Sequence, residues 1–349
     1  MQLTIQEVLV AFLASLALST TLTPIFRKIA ISLGIVDRPN QQHKTHTEPI
    51  PYLGGLSIVI TLLIGLSTSF VLKFKNQQDV TEMLILIAAP LLLAIVGLID
   101  DLRNLGALSR LFVQTMSALF VALLFIEFGW FGEPTDNQVL NSLVTIFWIV
   151  GITNALNFID NLDGGAGGVV VISSITLTIA AVIGDQFALA AIAVLIAGAT
   201  LGFLFWNLYP ARIYLGDAGA LFLGSILSVL TIRLDPATAN PFSGWFFAFL
   251  LFAVPILDTT VSVVSRLLRG ISPFQGGRDH LSHRLLNLGL SKRQVAVSIW
   301  LLQIFFSVLG IMLFLVDSDE TLIIEIVAGT TWLVLSYFFL RLLPLRAKY

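Results

Sequence analysis

The sequence predicts an all-α integral membrane protein, a polytopic bundle of about eleven transmembrane helices. Composition and the length of the apolar runs are the two observations behind this prediction. Of the 349 residues, 57% are hydrophobic and only 11% are charged, whereas soluble domains carry about 25% charged residues. Because each bilayer crossing takes about 20 apolar residues, we expect residues 1–349 to form one membrane domain with no soluble domain beside it.

The apolar runs define the order of the helices. Runs long enough to cross a bilayer lie at roughly 5–27, 53–73, 82–99, 107–128, 139–157, 168–184, 186–207, 218–234, 243–264, 294–316 and 321–341. The first run is longer than the apolar core of a secretory signal and has no lysine or arginine before Arg27, which favours a retained helix. Pro255 lies inside the ninth run and predicts a kink there.

The basic residues predict an orientation with the N-terminus outside and the C-terminus inside. In this orientation 16 of the 19 lysines and arginines fall in inner segments, and only Lys73, Lys75 and Arg233 fall outside. We therefore expect a multi-pass protein of the inner (plasma) membrane.

Charge and cysteine content exclude several other functions. The 19 basic and 21 acidic residues leave no positive surplus for binding nucleic acid. The absence of cysteine from the sequence excludes disulfides, thiolate metal sites and cysteine nucleophiles.

Acidic and amide side chains gather at the ends of runs that this topology places at the cytoplasmic face. Asp100 and Asp101 end the third run, and Asp217 opens the eighth. The end of the fifth run carries a stripe with i, i+3 spacing, which places side chains on one helix face: Asn154, Asn157, Asp160 and Asp163. Carboxylates at membrane depth are costly and usually mark a functional site. Oxygen ligands of this kind suit magnesium, with manganese as an alternative.

Each acidic group also has a purely structural interpretation. Asp217 could cap the helix that it opens, and Asp100 with Asp101 could be a solvated helix end. Acidic residues at a helix C-terminus oppose the helix dipole, however, so capping does not explain that pair. Adjacent carboxylates suit a proton acceptor or a metal-linked base.

Two inner segments carry basic groups that an anionic substrate would need. The loop after the ninth run holds Arg278, His280, His283 and Arg284. Arginine can bind phosphate through two hydrogen bonds, and histidine can exchange a proton. Lys44 and His46 form a second basic segment before the second run. Either segment could instead serve only to orient the protein in the membrane. Zinc is disfavoured, because no third nitrogen or sulfur ligand is close in sequence.

These motifs, in this order, resemble the polyprenyl-phosphate N-acetylhexosamine-1-phosphate transferases. The resemblance covers residues 20 to about 295 and rests on DRPN, P-x-x-GG, DDLRN, NALNFIDNLDG, GDAGALFLG and SRLLRGISPFQGGRDHLSHRL. RGISPFQ followed by a two-histidine loop resembles the UDP-N-acetylglucosamine:undecaprenyl-phosphate branch. The alternative branch, which transfers phospho-N-acetylmuramoyl-pentapeptide, usually has three consecutive histidines in its last cytoplasmic loop.

The resemblance implies transfer of a sugar-1-phosphate from a UDP-sugar to undecaprenyl phosphate, with magnesium as cofactor and UMP as product. Together with the residue pattern, it suggests catalytic roles for Asp100, Asp101, Asp160, His280 and His283, and metal binding by Asn157 and Asp217. The candidate substrate-binding residues are Lys44, His46, Asn154, Asp163, Arg278 and Arg284.

Two residues depart from the family pattern. Asn161 stands where the family often has glycine, and Ser282 stands where many members have histidine.

Two further expectations concern function class and partners. A transporter is the alternative from another class, but its polar groups would lie near the bilayer midplane and not at helix ends. A second copy of the chain is a candidate partner.

Overall fold

A computed structural model of the protein describes residues 4–37, 49–72, 77–128, 137–235, 241–273, 277–316 and 318–342. Within these ranges the chain forms one short hairpin and thirteen helices. The hairpin pairs β1 (Val36–Asp37) with β2 (Ile50–Pro51) in antiparallel register. The helices are α1 (Ile5–Ser32), α2 (Gly54–Leu72), α3 (Gln77–Arg103), α4 (Ala107–Phe128), α5 (Gln138–Ile159), α6 (Gly165–Ile183), α7 (Phe187–Asn207), α8 (Gly216–Arg233), α9 (Pro241–Leu251), α10 (Ala253–Leu268), α11 (Leu281–Asn287), α12 (Lys292–Met312) and α13 (Ser318–Arg341).

Every predicted apolar run contains a helix. Among the described residues, nine helices are long and apolar enough to cross a membrane, and the bent pair α9 and α10 provides a tenth candidate. The second run forms a shorter apolar helix, Gly54–Thr68, within α2. The fold class is therefore confirmed as a polytopic helical membrane protein, and its orientation in the membrane stays a prediction.

The start of α8 is packed closely by α3. A Cβ atom added at Gly97 of α3 would collide with the backbone carbonyl of Asp217. Glycine therefore lets the two helix backbones approach closely, as small residues commonly do in membrane bundles. This approach brings the acidic end of α3 beside Asp217.

The predicted kink separates α9 from α10, whose axes differ by 75°. Pro255 lies just after the break; in a continuous helix its ring would clash with the carbonyl of Leu251, and it has no N–H for the helical hydrogen bond to that carbonyl. Buried side chains satisfy the freed backbone groups, as the membrane interior requires. Ser173 donates to the Leu251 carbonyl at 2.7 Å, and Gln303 accepts from the Val254 N–H at 3.4 Å.

Candidate active site

Five carboxylates from three helix ends form a group that we call the acidic cluster: Asp100, Asp101, Asp160, Asp163 and Asp217. Asp100 and Asp101 lie at the end of α3, Asp160 and Asp163 follow α5, and Asp217 lies in the first turn of α8. The bundle thus brings together the three acidic motifs that the sequence predicts to converge.

Arg110, in the first turn of α4, links Asp100 to Asp217. Its Nη1 atom lies 2.6 Å from Oδ2 of Asp100 and 3.4 Å from Oδ2 of Asp217. The Oδ1 atoms have other partners, because the Leu105 N–H donates to Asp100 at 2.5 Å and the Asn157 amide donates to Asp217 at 2.5 Å. Asp100 is buried, whereas the Arg110 and Asp217 side chains are 30% and 27% exposed. Solvent therefore reaches the Asp217 side of this link.

Asp101 caps α8 from the neighbouring helix. Its carboxylate accepts hydrogen bonds from the backbone N–H groups of Asp217 at 2.8 Å and Ala218 at 3.1 Å. A carboxylate is stabilised at a helix N-terminus by the helix dipole. Gly216 has a φ of +75°, and a Cβ atom there would lie 2.7 Å from Oδ2 of Asp101, so glycine is required at this turn. Because Asp101 supplies the cap, Asp217 is not an ordinary N-cap.

The predicted stripe on α5 is helical only in its first part. Asn157 lies on α5, Asp160 is the C-cap residue, and Asp163 lies beyond the helix end. Gly164, with a φ of +74°, begins the turn into α6 and ends the i, i+3 spacing. Asn154 donates to Gln114 of α4 at 2.6 Å, and Asp163 accepts from the Ala211 N–H at 3.0 Å. These two side chains therefore connect neighbouring segments.

Asp160 differs from the other carboxylates of the acidic cluster. No hydrogen bond joins its side chain to the described part of the chain. Burial raises the pKa of Asp160 well above its ordinary value, and the negative charges of Asp217, Asp101 and Asp163 raise it further. Asp160 is therefore a carboxylate that gains from a nearby cation or proton.

A second charged group surrounds Asp279 in the segment 277–287, which we call the basic loop. Arg266 donates two hydrogen bonds to the Asp279 carboxylate at 2.7 and 2.8 Å, and Arg269 donates a third at 2.7 Å. Burial alone would raise the pKa of Asp279, but the hydrogen bond and charge of Arg266 outweigh it and hold the pKa below its ordinary value. The carboxylate at the centre of the basic loop is thus paired within the protein.

His280 is held through both ring nitrogens. Nδ1 lies 2.7 Å from Oδ2 of Asp258, and Nε2 lies 3.3 Å from Nη2 of Arg266. Because a guanidinium only donates, Nε2 must accept, and Nδ1 carries the proton donated to Asp258. The other oxygen of Asp258 accepts from the Leu281 N–H at 2.6 Å, at the start of α11. His280 thus orders the basic loop from within.

The two arginines of the basic loop occupy different environments. Arg284 is 1% exposed and donates to the backbone carbonyls of Asp279 at 2.8 Å and Phe339 at 2.5 Å. Burial lowers the pKa of Arg284 to about 10. Arg278 is exposed. Only Arg278 therefore lies at the surface, where an incoming ligand can reach it.

His283 is partly buried, and no hydrogen bond connects its ring to the residues that the structure describes. Burial lowers the pKa of His283, and the positive charge of Arg278 lowers it further. Its ring is therefore neutral at pH 7 and can both donate and accept a hydrogen bond.

The acidic cluster and the basic loop are adjacent. Ser282 Oγ donates to Oδ1 of Asn161 at 2.5 Å, and the rings of Phe158 and His280 are 5.9 Å apart. Ser282 and Asn161, the two positions at which the resemblance is imperfect, therefore contact each other.

The remaining predicted residues, Lys44 and His46, lie outside the described residues. The hairpin strands that flank 38–48 are themselves anchored near the acidic cluster, because the Tyr214 N–H donates to the Pro51 carbonyl at 2.9 Å. The Gly54 N–H donates in turn to the Tyr214 carbonyl at 3.0 Å. Strand β2 and the start of α2 are therefore held close to Asp217.

A divalent cation fits the donor set of the acidic cluster. Asp217 offers carboxylate oxygens, and the Asn157 amide donates through nitrogen, which leaves its oxygen available. No three His, Asp or Glu side chains within the described ranges converge to form a metal site on their own. A cation here would take further ligands from water and substrate phosphates, as magnesium usually does.

Sequence reasoning missed several residues of this region, among them Arg110 and Asp258. Arg110 counted only toward membrane orientation, although an arginine in the first turn of a helix after an acidic pair suggested an ion pair. Asp258 is a carboxylate within an apolar run, and such residues mark functional sites in membrane proteins. Neither signal identifies a partner without the fold.

The chain is similar in sequence to a known family and to several known proteins. Residues 83–235, which contain the whole acidic cluster and Arg110, match the family model described as glycosyl transferase family 4. The chain is 33% identical over 312 residues to a probable undecaprenyl-phosphate N-acetylglucosaminyl 1-phosphate transferase of Bacillus subtilis, covering 88% of this chain and 85% of that protein.

Two further relatives act in related reactions by name. A decaprenyl-phosphate N-acetylglucosaminephosphotransferase of Mycolicibacterium smegmatis is 32% identical over 79% of this chain and 74% of its own length. A phospho-N-acetylmuramoyl-pentapeptide-transferase of Bacillus cytotoxicus is 27% identical over 86% of this chain and 95% of its own length.

Proposed function

Since the chain belongs to glycosyl transferase family 4 and is a polyprenyl-phosphate N-acetylhexosamine-1-phosphate transferase, we propose that it transfers N-acetylglucosamine-1-phosphate from UDP-N-acetylglucosamine to undecaprenyl phosphate. UMP is the second product. The acidic cluster is the observation that carries this proposal, because it gathers oxygen ligands at one end of a membrane bundle. There, a lipid phosphate and a water-soluble nucleotide can meet.

The chemistry is one phosphoryl transfer. An oxygen of the lipid phosphate attacks the β-phosphorus of the UDP-sugar and forms the new P–O bond. The bond between that phosphorus and the oxygen bridging to the α-phosphate breaks, and UMP leaves with this oxygen. Such reactions need mainly positioning and charge stabilisation, so direct attack requires no covalent intermediate with the protein.

Magnesium is the proposed cofactor, with Asp217 and Asn157 as its protein ligands. It would offset the repulsion between the two phosphates and the charge that develops on the leaving group. Asp160 is proposed to face the reacting phosphates, and Asp100, which accepts from the Leu105 N–H and Arg110, is proposed to position Arg110 beside Asp217. Asp101 acts by holding α8, and through it Asp217, in place.

The basic loop is proposed to bind the diphosphate of the UDP-sugar through Arg278 and His283. Exposure of Arg278 and the neutral ring of His283 support this role. Arg284 and His280 hold the loop backbone, since their hydrogen bonds end on protein groups. Asn154 and Asp163 act likewise between helices, and Lys44 and His46 stay candidates for substrate binding.

The proposed setting is the inner membrane with the site at the cytoplasmic face, where UDP-sugars are found. The distribution of basic residues supports this orientation. A transporter is disfavoured, because the carboxylates of the acidic cluster lie at helix ends and not at the middle of broken helices.

A donor panel tests the proposal. Purified protein in detergent receives undecaprenyl phosphate, magnesium and one donor at a time: UDP-N-acetylglucosamine, UDP-N-acetylgalactosamine or UDP-N-acetylmuramoyl-pentapeptide. We expect UMP and a diphospholipid product with UDP-N-acetylglucosamine, in equal amounts. UMP release with the muramoyl-pentapeptide donor alone would reassign the chain to the other branch.

A further inference from the structure

Arg110 occupies the gap between two carboxylates of the acidic cluster. We propose that Arg110 is an internal counter-ion that takes the place of the divalent cation, so that a metal ion binding at Asp217 must displace the guanidinium from that carboxylate. This inference rests on the metal site of the proposed function, and it concerns a residue outside the proposed metal ligands.

The hydrogen bonds around Asp100 and Asp217 leave one oxygen of each carboxylate for Arg110. Oδ1 of Asp100 is tied to a backbone N–H, and Oδ1 of Asp217 is tied to Asn157. Both Oδ2 atoms meet the same Nη1 atom of Arg110. The guanidinium therefore occupies the coordination position that the two carboxylates share.

The two contacts of Arg110 are unequal. The 2.6 Å contact with buried Asp100 has the length of a strong charge-assisted hydrogen bond. The 3.4 Å contact with Asp217 is longer than the usual 2.7–2.9 Å of such bonds, and Asp217 is the more exposed carboxylate. The Asp217 contact is thus the one that gives way, and Arg110 can keep Asp100 when a cation arrives.

The charges of the acidic cluster also favour displacement of Arg110 from Asp217 by a divalent cation. The negative charges of Asp217, Asp101 and Asp163 all act on Asp160, so a cation held nearby stabilises the acidic cluster. Arg110 supplies one such charge. A divalent cation supplies two and competes with Arg110 for the same oxygen of Asp217. Metal affinity measured on the native chain therefore includes the cost of breaking the Arg110 contact.

Metal binding without substrate tests the inference. The purified full-length chain is stripped with chelator, and Mn²⁺ is titrated while electron paramagnetic resonance measures the free ion. The wild type is compared with Arg110→Ala, Arg110→Lys, Arg103→Ala and Asp217→Asn. Arg103 is the matched control, because it is an exposed cation at the end of α3 and its removal changes the net charge equally.

We expect Arg110→Ala to bind Mn²⁺ about tenfold more tightly than the wild type, because one charge-assisted contact no longer competes. Arg103→Ala should change the affinity by less than about twofold, the effect of a screened surface charge. Arg110→Lys should fall between the wild type and Arg110→Ala. The lysine variant keeps the charge and loses the guanidinium fork. If the alanine variant does not fold, tighter Mn²⁺ binding by Arg110→Lys than by the wild type supports the counter-ion role, and unchanged binding contradicts it.

The outcomes separate this inference from the metal site itself. Equal affinity in Arg110→Ala and Arg103→Ala, with binding lost in Asp217→Asn, would overturn the counter-ion role and leave the metal site standing. Unchanged binding in Asp217→Asn would overturn both.

Discussion

The acidic cluster and the basic loop are neighbouring charged regions that balance their charges in opposite ways. In the basic loop, the charge of the Asp279 carboxylate is matched by Arg266 and Arg269, which donate hydrogen bonds to both of its oxygens. In the acidic cluster, five carboxylates gather and Arg110 contacts two of them. A region balanced within the protein keeps its shape, whereas a region with surplus charge is suited to binding an ion. Composition alone does not distinguish the two.

Of the substitutions that test this comparison, removal of the carboxylate from the basic loop should have the largest effect on stability. Asp279→Asn should leave the buried Arg266, with a 4% exposed side chain, without its charge partner. Breaking a buried ion pair by removing one partner costs about 3–5 kcal/mol, so we expect a clear fall in the unfolding temperature. Thermal unfolding of the detergent-solubilised chain measures this, and an unchanged midpoint would show that the pairing is dispensable.

The same substitution in the acidic cluster should leave stability intact and remove activity. Asp217→Asn deletes a proposed metal ligand, and we expect turnover to fall about a hundred- to a thousandfold, as for other lost electrostatic groups. Its unfolding temperature should not fall, because a repelling charge is removed. Asp185→Asn, at an exposed position before α7, is the control and should retain turnover. Near-native turnover in Asp217→Asn would exclude the metal-ligand role.

The two arginines of the basic loop should differ in the same way, one affecting ligand binding and the other stability. Arg278→Ala should weaken UDP-sugar binding by about 1.5–3 kcal/mol, roughly ten- to more than a hundredfold, with little change in stability. Arg284→Ala should instead lower the unfolding temperature, because two backbone carbonyls lose their donor. Calorimetric affinity beside thermal unfolding separates the two effects. Equal loss of affinity and equal stability in both variants would contradict the assignment.

The smallest expected effect is an opposite pH dependence of stability. The raised pKa of Asp160 favours its protonated form in the folded chain, so this contribution is present at low pH and is lost as pH rises through the folded pKa. The lowered pKa of Asp279 gives stability above its unfolded pKa that is lost as pH falls through the folded pKa.

Two variants reveal this difference in metal-free buffer. Asp160→Asn should be more stable than the wild type at pH 7–8, with the difference vanishing toward about pH 4, the ordinary carboxyl pKa. Asp279→Asn should be less stable at neutral pH, and the difference should narrow only below about pH 4. If the stability of both variants relative to the wild type changed with pH in the same direction, the proposed difference between the two regions would be wrong.

The fold was largely predictable from sequence because membrane helices are defined by length and apolar composition. The kink near Pro255 was predictable for the same local reason, since proline cannot complete the helical hydrogen bonds. The hydrogen bonds that Gln303 and Ser173 make to the backbone at this break were not predictable, because these residues are far from the break in sequence.

The site was predictable as a set of motifs but not as a set of roles. Asp100 and Asp101 are adjacent, and adjacent helical residues point about 100° apart, so their different partners depend on which helices pack on each side. Arg278 and Arg284 are the same residue type in one short segment, and only the fold distinguishes them, because it buries Arg284 and directs it to the Phe339 carbonyl of α13. The membrane topology inferred from the sequence predicted that the acidic motifs converge, whereas the pairing of each charge depends on tertiary packing.

Dependence of transfer on magnesium tests the central claim about the acidic cluster most directly. Wild-type protein, stripped with chelator and mixed with undecaprenyl phosphate, receives UDP-N-acetylglucosamine labelled with ³²P at the β-phosphorus. We expect no label in the lipid until magnesium is added, and then one labelled lipid for each UMP released. Undiminished labelling of the lipid in the presence of excess chelator would contradict the account.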